Sequence, residues 1–184
     1  VEAPLEIHRL VVPHEGQAHV RVRFDPRPDY ARVVPEIVEV AHGLDVLAPG
    51  VQLFLRSNLP APYLRNGFSI RIDEPLFFIL SWGKPTGPGS IAAVRQVLDQ
   101  TVHGWRVWAK TCALPSFAER EVLRSALCLK LHVFEETGAI VAAATTSIPE
   151  AAGTERTWDY RYCWLRDAAF VVEALRRLSH LAEG

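Results

Sequence analysis

The chain has 184 residues, enough for one ordinary domain or for one domain and part of another. Apolar residues make up 49% and charged residues 22%, a composition typical of globular proteins that argues against disorder. The 20 basic and 21 acidic residues nearly cancel and form no Lys/Arg block, which argues against nucleic-acid binding. With neither a signal peptide nor a run of about 18 apolar residues, we expect a cytoplasmic chain that does not bind membranes.

The first part of the chain alternates apolar and polar residues, as half-buried β-strands do. In the run AHVRVRF, Val20, Val22 and Phe24 share one face. Four similar runs follow, separated by turn-forming residues: VVPEIVEV, VQLFLRS, FSIRI and LFFILSW. Because no helix is expected between these strands, the pattern predicts an antiparallel β-sandwich over residues 1–83.

The chain changes character at a stretch rich in Pro and Gly, which marks a domain boundary. Ser90 is placed to cap a helix whose apolar residues recur at three- and four-residue steps. We assign residues 84–115 to a linker that contains this helix. Trp105 and Trp108 share its apolar spacing, so packing is expected of them rather than sugar binding.

Two further helical stretches are predicted in residues 116–184. Ser116 and Glu119 match a capping box before the first of them, which is expected to end at Gly138. A long segment rich in small residues follows, and a loop of this length is typical of functional sites. The pattern becomes helical again from Trp164 to about Leu181.

The start of the last helical stretch has an unusual composition. In WDYRYCWLRD, residues 158–167, four aromatic side chains alternate with two Asp and two Arg. Aromatic faces stack on the C–H groups of sugars, and planar charged groups can bond two hydroxyls at once. Arg166 and Asp167 would lie in the first helical turn, on a rigid frame. The residues alone leave another interpretation equally open, in which the aromatics pack and an Arg–Asp ion pair caps the helix.

The sequence TERTWDYRYCWLRDAAF resembles the start of the catalytic domain of glycoside hydrolase family 15, which includes glucoamylases, glucodextranases and bacterial trehalases. GAIVAAATTSIPE resembles the loop before that motif, and DYARVVPEI resembles part of the family's β-sandwich. The resemblance implies an α+β internal fragment. Its parts would be late strands of a partial antiparallel sandwich (1–83), a linker helix (84–115) and the first helices of an incomplete (α/α) barrel (116–184).

The resemblance also implies a binding site. In the family, the Arg-Asp pair at the start of this helix binds hydroxyls of the glucose at the non-reducing end, which implies this role for Arg166 and Asp167. Tyr160 and Trp164 are the implied aromatic wall of the same subsite. The weaker candidates, for which packing is the better interpretation, are Tyr162 and Trp158. The family usually has Asn where this chain has Thr157.

The implied reaction is inverting hydrolysis that releases glucose from α-glucan oligosaccharides or from trehalose, without an organic cofactor. Inversion requires an acid and a base about 6.5–9.5 Å apart. Family members place both, as Glu residues, far downstream of this motif, so we expect no catalytic residue in this chain and no activity from it alone. Glu150 and Asp159 lie near the motif but match no catalytic position. The alternative is a non-catalytic β-sandwich that binds carbohydrate or another partner.

The remaining titratable residues suggest no second site. The seven His residues are scattered, without a metal-ligand spacing on one helix face, so no metal site is expected. Cys112, Cys128 and Cys163 fit neither a disulfide framework nor a zinc site, and we expect them reduced and buried. The expected partner is a carbohydrate, and the sequence leaves homo-oligomerisation open.

Overall fold

The computed structural model describes residues 4–84, 89–145 and 151–180. The chain divides into two compact units, Val1–Val102 and His103–Gly184. The first contains antiparallel sheets and the second is mainly helical, so the α+β class is confirmed at this level. The sandwich and barrel assignments, and the three predicted domain ranges, stay predictions.

Seven strands lie in the described part of the first unit. Five form an antiparallel sheet in the order β1 (Glu6–Val11), β7 (Leu76–Trp82), β5 (Val51–Ser57), β4 (Gly43–Ala48) and β3 (Glu36–Val40). The other two form an antiparallel pair, β2 (Ala18–Arg21) and β6 (Ser69–Ile72). Apolar residues of both sheets meet in one core, where Leu44 and Leu64 are 1% and 0% exposed. Burying each of these side chains contributes about 1.5–3 kcal/mol.

Two short helical segments lie between the strands, so the expectation of a region without helices was wrong. The turn α1 (Pro28–Ala31) contains residues with positive φ. The helix α2 (Ala61–Asn66) begins after Pro60 and ends at Gly67, whose φ of 63° is left-handed. Arg65, Asn66 and Gly67, which are among the turn-forming residues between the predicted strands, are therefore the end of a helix, where glycine is favoured.

Three longer helices follow: α3 (Ile91–Lys110), α4 (Glu119–Lys130) and α5 (Leu165–Arg177). The Ser90 cap is confirmed, because its Oγ accepts a hydrogen bond from the Ala93 N–H at 3.1 Å. The capping box before α4 is wrong. The N-cap of α4 is Ala118, which has no side-chain oxygen, and Ser116 lies too early in the chain to cap this helix. The helix also ends at Lys130, well before Gly138.

Candidate functional site

The segment before α5 is held by backbone pairing with the segment that follows α4. An isolated antiparallel bridge between Val141 and Cys163 joins these two parts of the chain, and a second bridge, between Val133 and Ile140, lies within the segment after α4. The Ala143 N–H donates to the Tyr160 carbonyl at 2.7 Å, and the Ala142 N–H donates to the Tyr162 carbonyl at 3.2 Å. The aromatic motif therefore has a fixed backbone on one side.

Trp164 is the centre of an aromatic cluster, which we define as Trp158, Tyr160 and Trp164. The Tyr160 ring stacks on the Trp164 ring, with centroids 5.7 Å apart and planes 28° apart. Trp158 meets Trp164 edge to face, with centroids 6.2 Å apart. The Trp164 indole N–H donates to the Asp159 carbonyl at 3.0 Å. Trp158 thus belongs with the two predicted wall residues, whereas Tyr162 is 69% exposed and lies outside the cluster.

Asp159 is bound on several sides by Arg161, two residues further along. Its Oδ1 accepts hydrogen bonds from the Arg161 backbone N–H and from Nε, each at 3.0 Å, and its Oδ2 accepts from an Arg161 terminal nitrogen at 2.6 Å. The side-chain hydrogen bonds from Arg161, followed by the backbone one, lower the pKa of Asp159 from 3.8 to about 2. The carboxyl group is therefore ionised at neutral pH and unsuited to act as a general acid.

Replacing Arg161 with glutamine should raise the pKa of Asp159 from about 2 toward 3.8. Because the folded-state pKa is lowered, the stabilisation from this pair is present above the unfolded pKa and is lost as pH falls through about 2. Carboxyl-carbon NMR at pH 3 should then find Asp159 about a tenth protonated in the unsubstituted protein and clearly more protonated in the variant, which keeps only the hydrogen bond from the backbone N–H of residue 161.

Glu173 is the internal control for this titration. Hydrogen bonds from Arg176 and then Arg177 lower its pKa from 4.5 to about 2, and the Arg161 substitution leaves both partners in place. Equal protonation of Asp159 in the two proteins would contradict the assigned role of Arg161.

Arg166 and Asp167 lie in the first turn of α5, as the sequence predicts. An Arg166 terminal nitrogen lies 3.3 Å from Asp167 Oδ2. The Arg166 side chain is 74% exposed and that of Asp167 is 32% exposed. The position of Asp167 is favourable because the N-terminus of a helix is electropositive. Within the described residues, the recorded contacts of the aromatic cluster do not include either side chain of this pair.

Several predictions about other residues need correction or fall outside the structure. Cys128 and Cys163 are exposed and Cys112 is half-buried, so the expectation that all three are buried was wrong. Glu150 lies outside the described residues. In the described ranges, no group of three or more His, Cys, Asp or Glu could hold a metal ion. Over those same ranges, no helix has both the length and the hydropathy needed to cross a bilayer.

Comparison with known proteins places this motif in a family. Residues 117–183 match the family described as Glycosyl hydrolases family 15, and a trehalase of Thermoplasma acidophilum is 33% identical over 97% of the chain. The chain belongs to glycosyl hydrolase family 15. The family-15 match contains the aromatic cluster, the Asp159–Arg161 pair and the Arg166–Asp167 pair.

Other relatives of this family-15 chain are also named trehalases. One from Mycobacterium tuberculosis is 38% identical over 67% of the chain and 18% of its own length. Trehalase 2 of Sulfolobus acidocaldarius is 46% identical over 33% of the chain and 11% of its own length. The match to the Thermoplasma acidophilum protein covers 32% of that relative, so the chain spans about a third of its length. No solved structure matches the chain.

Proposed function

We propose that this chain forms one wall of the glucose-binding subsite in an inverting glycoside hydrolase that cleaves an α-glucoside, with trehalose as the substrate. The observation that supports this most is the aromatic cluster directly before the Arg166–Asp167 pair, within the family-15 match. The choice of trehalose rests on the relatives, which are named trehalases. In this proposal the sandwich, linker and barrel ranges keep their predicted bounds.

The aromatic cluster suits the apolar face of a glucose ring. Trp164 already donates its indole N–H to the Asp159 carbonyl, so its remaining contribution to a ligand is the ring itself. Tyr160 and Trp164 are half-buried, and each keeps part of its surface open to a ligand. Stacking on the C–H groups of a sugar would remove this apolar area from water.

The Arg166–Asp167 pair suits the hydroxyls of the same ring. A guanidinium is only a donor and a carboxylate is only an acceptor, whereas a sugar hydroxyl can do both. One residue of each kind, side by side, can therefore fix the direction of hydrogen bonds around two hydroxyls. Because Arg166 is 74% exposed and makes a single recorded contact with Asp167 at 3.3 Å among the described residues, most of its donors remain for a ligand.

Asp159 and Arg161 are positioning residues in this proposal. Their hydrogen bonds fix the backbone on either side of Tyr160, and the Asp159 carbonyl fixes the Trp164 ring. The low pKa of Asp159 argues against its use as the acid. The catalytic acid and base are assigned to glutamates elsewhere in the whole enzyme.

Proton NMR of trehalose hydrolysis by the whole enzyme tests the reaction. Both anomeric carbons of trehalose are α, so inversion at the attacked carbon releases one β-glucose and leaves the departing glucose as α. An early spectrum should therefore contain the two anomers in equal amounts, before mutarotation mixes them. Release of α-glucose alone would indicate retention and contradict the mechanism. Absence of glucose from both trehalose and maltose would contradict the proposed function.

Calorimetric titration of this chain alone separates the proposal from its alternative. One wall of a subsite should give no measurable heat with glucose, trehalose or maltose. Saturable binding of any of these sugars to this chain would favour a carbohydrate-binding module.

A further inference from the structure

A second cluster of chemically active side chains lies at the end of α5 opposite to Arg166. The His180 ring is 7% exposed and stacks on the Trp108 ring, with centroids 4.4 Å apart and planes 18° apart. Its Nε2 lies 3.2 Å from the Cys112 sulfur and 3.5 Å from the Thr111 hydroxyl. All four residues belong to the unit His103–Gly184.

The distances around His180 place the Cys112 thiol where it can pass a proton to the ring. The Thr111 hydroxyl donates to the Trp108 carbonyl at 2.7 Å, and this bond uses the only hydrogen of the hydroxyl group. The Cys112 sulfur lies nearer to Nε2, at 3.2 Å, than to the Trp108 carbonyl oxygen, at 3.9 Å, so the thiol donates to Nε2 in the tautomer whose ring proton is on Nδ1. If the imidazole takes the thiol proton, the resulting cation lies over an indole face, which stabilises positive charge. An adjacent imidazolium in turn stabilises a thiolate.

We propose that Cys112 is an activated thiol and a site of covalent modification by low-molecular-weight disulfides. The thiol proton moves to His180 Nε2, and the thiolate attacks one sulfur of the disulfide. A new S–S bond forms, the original one breaks, and the second sulfur leaves as a thiolate. Cys112 is oxidised to the mixed disulfide and the reagent is reduced, so no other reactant is needed.

The surroundings of Cys112 give this modification a structural consequence. The Ala113 N–H donates to the Leu178 carbonyl at 3.0 Å, directly after the Cys112–His180 contact. This part of the chain therefore holds the C-terminal end of α5. A mixed disulfide has no thiol proton, so modification of Cys112 removes the hydrogen bond from this sulfur to His180 Nε2.

The test is pulsed labelling of the folded protein with dithiobis(nitrobenzoate), followed by digestion and mass spectrometry of each cysteine peptide. At neutral pH, Cys112 should react about five- to tenfold faster in the folded chain than in guanidinium, because thiolate formation raises the rate. Cys128 and Cys163 are exposed and have no recorded thiol contact with a histidine among the described residues, so folding should not accelerate them. A folded-state rate for Cys112 at or below its unfolded rate overturns the proposal.

The His180→Gln variant tests the origin of the acceleration. Circular dichroism establishes its folded fraction, and the rate for Cys112 in that fraction should fall to the unfolded value or below it. An unchanged rate would overturn the assigned role of His180. Because the readout is thiol chemistry, its outcome is independent of whether the enzyme hydrolyses trehalose.

Discussion

Replacing Arg166 with alanine in the whole enzyme is expected to lower kcat/KM for trehalose about a hundredfold or more. The reason is the loss of two hydrogen bonds from a charged group, each contributing about 1.5–3 kcal/mol. Stability should change little, because the side chain is 74% exposed and its recorded partner is its neighbour Asp167. Initial rates at equal folded fraction, measured by glucose release, give the comparison.

The same helix supplies a matched control for Arg166. Arg177 is 76% exposed and pairs with Glu173 rather than with the proposed subsite. The Arg177→Ala variant should therefore keep the rate of the unsubstituted enzyme. Arg166→Lys keeps the positive charge but lacks the planar guanidinium group, so its kcat/KM should lie between those of Arg166→Ala and the unsubstituted enzyme. Equal kcat/KM in the Arg166→Ala and Arg177→Ala variants would contradict the binding role of Arg166.

Replacing Gly43 with alanine is expected to prevent the unit Val1–Val102 from folding. Gly43 begins β4 with a φ of 152°, and a Cβ built there lies 1.8 Å from the Leu55 carbonyl oxygen and 2.8 Å from its carbon. The clash is with the backbone of the neighbouring strand β5, so no rotamer change relieves it. The combined backbone strain and overlap should exceed about 4–5 kcal/mol, a large part of a domain's stability.

Guanidinium titration of the Gly43→Ala and Gly50→Ala variants tests this expectation, because the first should lose the cooperative unfolding transition of this unit and the second should keep it. Gly50 also has a positive φ, 70°, but a Cβ there meets nothing within 4 Å. Alanine at Gly50 should therefore cost only about 1–2 kcal/mol through the left-handed backbone. Similar unfolding midpoints for the two variants would show that β4 and β5 can separate locally and would contradict this account.

Local sequence patterns predicted the strands whose ends are marked by neighbouring turn-forming residues. The runs chosen for β5 and β7 match the observed strands residue for residue, because each is bounded by turn-forming residues. The strand β4 was missed because its sequence, GLDVLA, does not alternate regularly between apolar and polar residues. Leu44 and Val46 are buried, but the other residues of β4 form no polar face like that of β2. The helix α2 was missed because six residues containing Pro62 offer too short a period to recognise.

In the candidate site, too, the sequence predicted local positions but not contacts between distant residues. The motif placed Arg166 and Asp167 in the first turn of a helix, and the structure confirms that position. The pairing of residues 141–143 with residues 160–163 joins segments about twenty residues apart, for which no local pattern exists. The contact between Cys112 and His180 spans 68 positions and gave no signal in the sequence. The prediction that the cysteines are buried was wrong for the same reason, because their burial depends on which distant residues cover them.

The contacts inside the aromatic cluster are short-range along the chain. Trp158 and Tyr160 lie six and four positions before Trp164, and the Asp159–Arg161 hydrogen bonds span two. Closing such small loops removes little chain entropy. The aromatic cluster can therefore be ordered before any ligand arrives, and binding in the proposed subsite would not have to supply the free energy of ordering it. Affinity at such a surface would depend mainly on the departure of water from rings that already face the incoming molecule.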